Sequence, residues 1–466
     1  MFSSVNPATG DTIATYPELD TAELERKIAL ATQAFDGWPA TPVATRTDLL
    51  RRIADQYDAN TDRLARMATA EMGKTLASAV AEVEKCAAAF RFYAEQGPAM
   101  LEAHTTTLKD GGTAEVHWLP LGPVLAIMPW NFPYWQAVRF LAPTILAGNV
   151  GLLKHASIVQ GVAGLMEEMV VAAGAPEGLF QNLAVKSPAV ADIIADDRIA
   201  AVTLTGSEGA GISVAEQAGR YLKKIVLELG GSDPFVVMPS ADLDKAAEQA
   251  VKARIQNAGQ SCICAKRMIV HADVYDAFMD RFAAAMQAVR VGDPLADDSD
   301  MGPLSSFEQR DTVIGQLAEA KKLGATLLFG GEPLEGPGAF LSPGILTDVP
   351  PDSPFKHEEV FGPIAMVFRA RDVDDAVRLA NDIPFGLGSS VWTEDKEEQA
   401  RFTRDVAAGM MAINQMLASS PEAPFGGIKR SGHGRELGAF GLHEFMNAKT
   451  VLRAKALPAT PSEQVE

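Results

Sequence analysis

The chain has 466 residues, 47% of them apolar and 22% charged, a soluble balance that is too long for one core and calls for two or three domains. Its 41 basic and 60 acidic side chains leave a net charge of −19, which argues against nucleic acid or an anionic membrane as a partner, although a few local arginines can still hold an anionic substrate. No apolar run reaches the roughly 18 residues of a membrane span. The N-terminus, MFSSVNPATGDTIATYP, lacks the basic and apolar regions of a secretory leader. Three cysteines make no disulfide scaffold, and a reducing cytoplasm is the expected compartment.

Residues 20–97 read as a run of helices. Asp20 or Thr21 caps the first, and Leu24, Ile28, Ala31 and Phe35 form its apolar stripe. Thr61 is expected to cap another, with Leu64, Ala68 and Met72 inside. TAEVHW, from Thr113, alternates and precedes a Leu-Pro-Leu-Gly-Pro turn, as a projecting strand does. Strands and helices then alternate. VLAIMPW (124–130), VGLLKH (150–155), LFQNLAV, AVTLTG (201–206) and IVLELGG (225–231) read as strands. YWQAVRFLAPTILA, VQGVAGLMEEMVVAAG and the end of EGAGISVAEQAG read as helices. This order implies a parallel, doubly wound α/β sheet that binds ligands beyond the carboxyl ends of its strands. A second α/β section runs from near Pro234 to about Pro424, with PFVVM, RMIVH and PIAMVF as strands and helices from Asp242, Asp273 and within VDDAVRLAND. The tail ATPSEQVE is expected to fray.

Several segments offer chemistry. NAGQSC (257–262) presents Cys262 after a glycine and small polar residues, and LELGG presents Glu228 among leucines and glycines. A thiol and a carboxylate so placed suggest a nucleophile and a base, although free cysteine is more often a small buried hydrophobe. Gly206 to Gly211, GSEGAG, opens a helix after a strand; its amides and the Ser207 hydroxyl suit a phosphate, or the segment is simply a tight turn. Asn131 in MPWNFP ends a buried strand and can donate to an oxyanion, or it serves the turn. Lys154 in KHAS ends another strand and suits a ribose or phosphate, or it is solvated. The seven histidines are scattered without metal spacing, so no metal is expected.

PWNFP, GSEGAG, ELGG, NAGQSC, EEVFGP (358–363) and PFGGIKRSGHGRE (424–436) occur in one order, and together they closely resemble the NAD(P)-dependent aldehyde dehydrogenase superfamily over roughly residues 3–455. The resemblance implies an α/β fold with a Rossmann-type cofactor domain, an α/β catalytic domain and a small β oligomerisation flap. It makes Cys262 the nucleophile, Asn131 and the Cys262 amide the oxyanion hole, and Glu228 the base that activates water against a thioester. Trp130, Gly206, Ser207 and Gly211 fall near the pyrophosphate, Lys154 at the adenine ribose, Glu359 at the nicotinamide ribose and Phe361 beside it. A hydride acceptor is required because side chains cannot take hydride.

Many NAD-preferring members carry a glutamate at the position of Ser157, where it binds ribose hydroxyls and repels a 2′-phosphate. Serine removes the repulsion, so NADP is expected to be preferred or well accepted, with NAD possible. Trp135 and Arg139 share a helix face toward the substrate. With Ser419 and Ser420 they resemble succinate-semialdehyde dehydrogenases, in which an arginine and a serine hold the distal carboxylate. Some such enzymes have a second arginine where this chain has Gln256, which leaves room for broader specificity; for Arg139 a structural ion pair is the other reading. Cys264 is a redox partner for Cys262 by the same resemblance, or a packed bystander, and Cys86 is expected in the core.

The expected domains are 1–100 with 119–230 for the dinucleotide, 231–430 for catalysis, and 101–118 with 431–457 for oligomerisation as a homodimer or homotetramer. The expected reaction is oxidation of an aldehyde bearing a carboxylate. A broad-specificity aldehyde dehydrogenase, a cysteine hydrolase without redox chemistry, an acyl transfer to coenzyme A and an inactive scaffold are the alternatives; the hydrolase would want a histidine base in place of Glu228.

Overall fold

Asp20 starts the first helix through a reciprocal cap: its side chain accepts from the Glu23 amide at 2.8 Å, and Glu23 accepts from the Asp20 amide at 3.2 Å. The computed structural model describes residues 1–350 and 353–455; the tail after 455, including the last residues of the expected 431–457 segment, lies outside them. Helices Thr21–Gly37, Val43–Ala59, Thr61–Met72 and Leu76–Met100 follow one another as the apolar stripes require. Thr61 is not the expected cap. It is the first helical residue, Asn60 takes the cap position, and the Thr61 hydroxyl donates back to Tyr57 O at 3.1 Å and Asp58 O at 3.0 Å. A hairpin of Phe2–Val5 and Thr12–Tyr16, too short and polar to stand out in the sequence, precedes the helices.

The first alternating section forms a six-stranded sheet in the order Gly432–His433, Lys224–Glu228, Ala201–Thr205, Pro123–Met128, Val150–His155, Phe180–Asn182. All pairs are parallel except the first. The chain leaves Pro123–Met128 toward one side for Val150–His155 and returns to the other for Ala201–Thr205. The crevice between those crossovers is where an open parallel sheet takes its ligand. Helix Glu208–Arg220 begins directly at Ser207, without the intervening loop expected from the sequence.

The second section forms a seven-stranded sheet in which Asp233–Val237, Ala265–His271, Ile364–Ala370, Ser390–Trp392 and Ala412–Ile413 run parallel, while Thr326–Phe329 and Gly344–Thr347 pair antiparallel at one edge. A third, antiparallel sheet joins His104–Thr107, Thr113–Pro120 and Met446–Arg453. Its central strand reaches Pro120, past the expected end at 118. The expected C-terminal flap segment also divides: Gly432–His433 pairs with the first sheet, and Leu442 and Phe445, around helix Gly438–Glu444, pack into the core of that sheet. Only Met446–Arg453 belongs to the projecting sheet. The same core contains Cys86, fully buried as expected. Among the described residues no helix is long and apolar enough to cross a membrane.

Candidate active site

Cys262 lies in the loop between helix Leu243–Ile255 and strand Ala265–His271. Asn257, Ala258 and Gly259 are consecutive left-handed residues with φ of 55°, 55° and 75°, an arrangement that alanine adopts only when its surroundings enforce it. The enforcement is visible. Buried Arg254 donates to Gly259 O at 2.8 Å and Gly362 O at 2.6 Å. Gln260 donates to Asn257 O at 3.0 Å and accepts from the Ser305 amide at 2.9 Å. Lys266, buried in the next strand, donates to Ser261 O at 2.9 Å and Cys262 O at 2.6 Å and lies 3.0 Å from Glu359 Oε1. The Cys262 backbone is therefore fixed from both sides. Its thiol is half-buried, and burial pushes it up to about 12, against the opposing pull of Arg139 and Lys266.

Two cavities meet at this thiol. One, of about 290 Å³, is lined by Trp130, Asn131, Gly206, Ser207, Glu228, Glu359 and Phe361 as well as Cys262. The other, of about 150 Å³, is lined by Lys85, Phe132, Trp135, Gln136, Arg139, Ser419 and Phe425, again with Cys262. The first opens on the carboxyl ends of the six-stranded sheet, and the second lies beside helix Pro133–Ala147.

In the first cavity, Asn131 Nδ2 donates to Gln260 O at 3.0 Å, and the Asn257 side chain donates to Asn131 O at 2.6 Å. One amide hydrogen of Asn131 remains for a ligand. Glu228 ends strand Lys224–Glu228, is buried, and has no hydrogen-bond partner on either oxygen among the described residues. Burial pushes its carboxyl well above the usual range, the nearby Glu436 carboxylate adds to this, and Arg139 and Arg435 oppose it. A methyl at Gly426 would stand 2.5 Å from Glu228 Oε1, so the glycine at φ 154° gives this carboxylate its space.

The residues on the cofactor side fit a dinucleotide. Lys154 is buried, has no partner among the described residues, and is held below its usual range by burial; an unpaired buried ammonium calls for an anion or polar ligand. Ser157 stands exposed at the start of a short turn after the same strand. Ser207 caps helix Glu208–Arg220 by accepting from the Ala210 amide at 3.4 Å, so the helix amides face the strand ends. Of the two glycines singled out here, a Cβ at Gly211 would meet the Leu229 side chain at 2.6 Å and force it to shift, whereas Gly206 has room for one at 3.6 Å. Glu359 pairs with Lys266, and Trp130 meets Phe361 edge to face at 5.7 Å. Among the described residues no group of three His, Cys, Asp or Glu is placed to hold a metal.

On the substrate side, Trp135 Nε1 donates to Ser419 Oγ at 2.9 Å. Arg139 reaches the cavity wall, but its Nε stands 2.8 Å from Glu436 Oε2, off line for a hydrogen bond, its Nη2 contacts Gln136, and its guanidinium lies 4.3 Å over Phe425. The buried ion pair foreseen as the other reading of Arg139 is therefore present, and the guanidinium is largely committed. Ser420 does not line the cavity; it turns to Glu422. Gln256 does line it. Cys264 is buried, with its thiol donating to Gln256 O at 3.5 Å, and both cysteines are free. No pattern in the sequence singles out Lys85, Glu82, Lys266 or Glu436. Each is a charged residue in a segment that reads as an amphipathic helix, a strand or a turn, and only packing marks it. Glu82 accepts from the Tyr134 and Trp135 amides at 2.9 Å each and pairs with buried Lys74, which anchors the start of helix Pro133–Ala147.

A parallel-sheet crevice, a fixed thiol and a small pocket beside it, with an unpartnered carboxyl nearby, fit the class of α/β oxidoreductases. The chain belongs to the aldehyde dehydrogenase family, which it matches over residues 1–451. It is 51% identical over 451 residues to succinate-semialdehyde dehydrogenase [NADP(+)] 1 of Mycobacterium tuberculosis (strain ATCC 25618 / H37Rv), covering 96% of this chain and 99% of that protein. A succinate-semialdehyde dehydrogenase [NADP(+)] of Mycobacterium avium (strain 104) is 51% identical over 452 residues, 96% of each chain. Among solved structures, succinic semialdehyde dehydrogenase from Streptococcus pyogenes in complex with NADP+ superposes with a TM-score of 0.95 at 34% identity, covering 97% of this chain and 99% of that one. Succinate-semialdehyde dehydrogenase from Burkholderia pseudomallei gives 0.94 at 35%, covering 97% and 94%.

Proposed function

We propose that the protein oxidises succinate semialdehyde to succinate with NADP. The observation that carries the reading is the placement of Cys262 at the meeting of two cavities, one with the unpartnered Glu228, the other small and lined by Lys85, Arg139, Trp135 and Ser419. The names of the relatives support the same substrate and cofactor.

In this reading the Cys262 sulfur bonds to the aldehyde carbon. Its proton passes to the carboxylate form of Glu228, whose raised proton affinity makes it an effective acceptor. The carbonyl oxygen becomes an oxyanion held by the free Asn131 amide hydrogen and the Cys262 backbone N–H, a donor pair of the kind worth about 2.7–4 kcal/mol per donor in a transition state. When bound, NADP supplies the acceptor for the hydride that leaves the tetrahedral carbon. Lys154, Ser157 and the helix opening at Ser207 hold its adenosine and phosphate parts, and Glu359 and Phe361 bound the nicotinamide end. Cys262 is left acylated. Glu228, its first proton released to solvent, takes a proton from water, the hydroxide adds to the acyl carbon and expels the Cys262 thiolate as the acid forms, and Glu228 returns its proton to the sulfur. Hydrolysis in place of transfer to coenzyme A follows from Glu228 standing in the same cavity as the thiol.

The test is a matrix of aldehydes and cofactors. With NADP, kcat/KM for succinate semialdehyde is expected to exceed that for pentanal by about tenfold or more, the scale of a charge-assisted contact, and to be unaffected by coenzyme A. Equal values for the two aldehydes would remove the substrate assignment, and a clear preference for NAD would remove the cofactor assignment. Ser157→Glu is expected to shift the ratio toward NAD; an unchanged ratio counts against Ser157 facing the 2′-phosphate. The proposal extends to a reducing cytoplasm, in keeping with three free cysteines, and to a homodimer or homotetramer formed through the projecting three-stranded sheet.

A further inference from the structure

The 150 Å³ cavity contains a cation that neither the motifs nor the mechanism uses. Lys85, on helix Leu76–Met100, is half-buried at its wall. Its Nζ lies 4.2 Å over the Trp135 ring and donates to Ser419 Oγ at 3.0 Å. Among the described residues it has no carboxylate within ion-pair distance, in contrast to Lys74 with Glu82, Lys266 with Glu359 and Arg139 with Glu436. Arg139 therefore brings a charge that Glu436 already pairs, and Lys85 brings one with no direct ion-pair partner, only the more distant carboxylates of Glu82 and Glu422. Desolvating an ammonium without a counter-ion is costly unless a ligand supplies the anion. The cost is visible as a lysine pushed down to about 8, first by burial and then by Arg139.

Ser419 sharpens the geometry. Its oxygen accepts from both Lys85 Nζ and Trp135 Nε1, so its own hydrogen must be donated elsewhere. One wall of the pocket thus presents an ammonium and a hydroxyl donor side by side, with Cys262 lining the same pocket. A carboxylate accepts from both, and the small volume limits the carbon chain between it and the reacting carbonyl.

We infer that Lys85, acting with Ser419, is the residue that selects a carboxylate-bearing aldehyde, and that Arg139 contributes chiefly by holding Glu436. The inference rests on the substrate reading proposed above and assigns its specificity to one side chain.

The test compares wild type, Lys85→Met, Lys85→Gln and Lys85→Arg through the ratio of kcat/KM for succinate semialdehyde to that for pentanal, with succinate as a competitive inhibitor of pentanal oxidation in parallel. Lys85→Met and Lys85→Gln are expected to lower the ratio by about tenfold or more, mainly through KM, and to weaken succinate inhibition similarly, while Lys85→Arg retains most of both. A wild type that discriminates, with a ratio that survives in both neutral variants, overturns the inference and leaves the substrate reading intact. A wild type that does not discriminate, yet is inhibited by succinate in a Lys85-dependent way, overturns the substrate reading and leaves the anion site standing. The wild-type pH profile gives a test independent of variant folding. The charged and titratable groups around Lys85 are Arg139, Glu422, Glu82 and Cys86. Loss of its proton above about pH 8 should lower the ratio in wild type and not in Lys85→Arg; a ratio flat through that range speaks against the lysine.

Discussion

The chemistry of single residues here is set by what lies over them. Cys262 sits among protein atoms that favour its neutral form and push the thiol up to about 12. At pH 8 the thiolate is then a far smaller fraction than for an ordinary cysteine. Alkylation of Cys262 by iodoacetamide, followed by mass spectrometry, should therefore be slow at pH 8 and climb by roughly tenfold per pH unit up to pH 10; a plateau by pH 9 contradicts the burial argument. Gly426→Ala tests the base separately. The added methyl would crowd Glu228 Oε1 at 2.5 Å. Turnover should fall by about tenfold or more, the low end of what a positioned base supplies or below it, while Cys262 alkylation at high pH stays near wild type. Normal turnover in this variant would show that Glu228 has room to move. Cys262, Asn131 and Glu228 could be singled out in the sequence because the short motifs that carry them occur together in one order. Lys85 could not: Glu-Lys-Cys in an alanine-rich helix reads as a solvated face, and its partner Ser419 is 334 residues away.

At the scale of elements, the helix that carries Trp135 and Arg139 depends on another helix for its start. Pro133–Ala147 has no capping side chain and no acidic residue in its first turn. Glu82 supplies the missing acceptor for two of its amides and is itself balanced by Lys74, both side chains being almost fully buried. Glu82→Gln should leave Lys74 buried and unpaired, at a cost of about 3–5 kcal/mol in urea unfolding. The double variant Glu82→Gln with Lys74→Met should lose clearly less than the sum of the two single losses; strict additivity would mean that the pair is not coupled. Helices with long apolar stripes and strands with apolar runs were readable to within a few residues, because period and burial agree there. Thr61 was misassigned for a local reason: a threonine hydroxyl satisfies preceding carbonyls as readily as following amides.

At the scale of the molecule, the projecting sheet presents Leu119 at 40% and Leu452 at 69% exposure on its strands. If this sheet is the assembly surface, light scattering should give a dimer or tetramer, and Leu119→Lys with Leu452→Lys should shift the protein toward monomer without changing its secondary structure. An unaltered assembly would move the interface elsewhere. The division of labour between chain and fold follows from range. The strands themselves, the parallel α/β class and the motif around Cys262 are written in short segments, because hydrophobic period and motif spacing act over a few residues, whereas the order of the strands in each sheet is set by tertiary pairing. The pairs Lys85–Ser419, Lys266–Glu359, Arg139–Glu436 and Glu82 with the Tyr134 and Trp135 amides join separate elements. Whether a charge is solvated, paired or left waiting for a ligand depends on what packs against it. For the cysteine of NAGQSC the segment alone left a buried core thiol as the commoner reading, and only the ordered set of motifs made a nucleophile the expectation; the burial that sets its protonation and the cation in its pocket emerged only when distant parts of the chain closed around it.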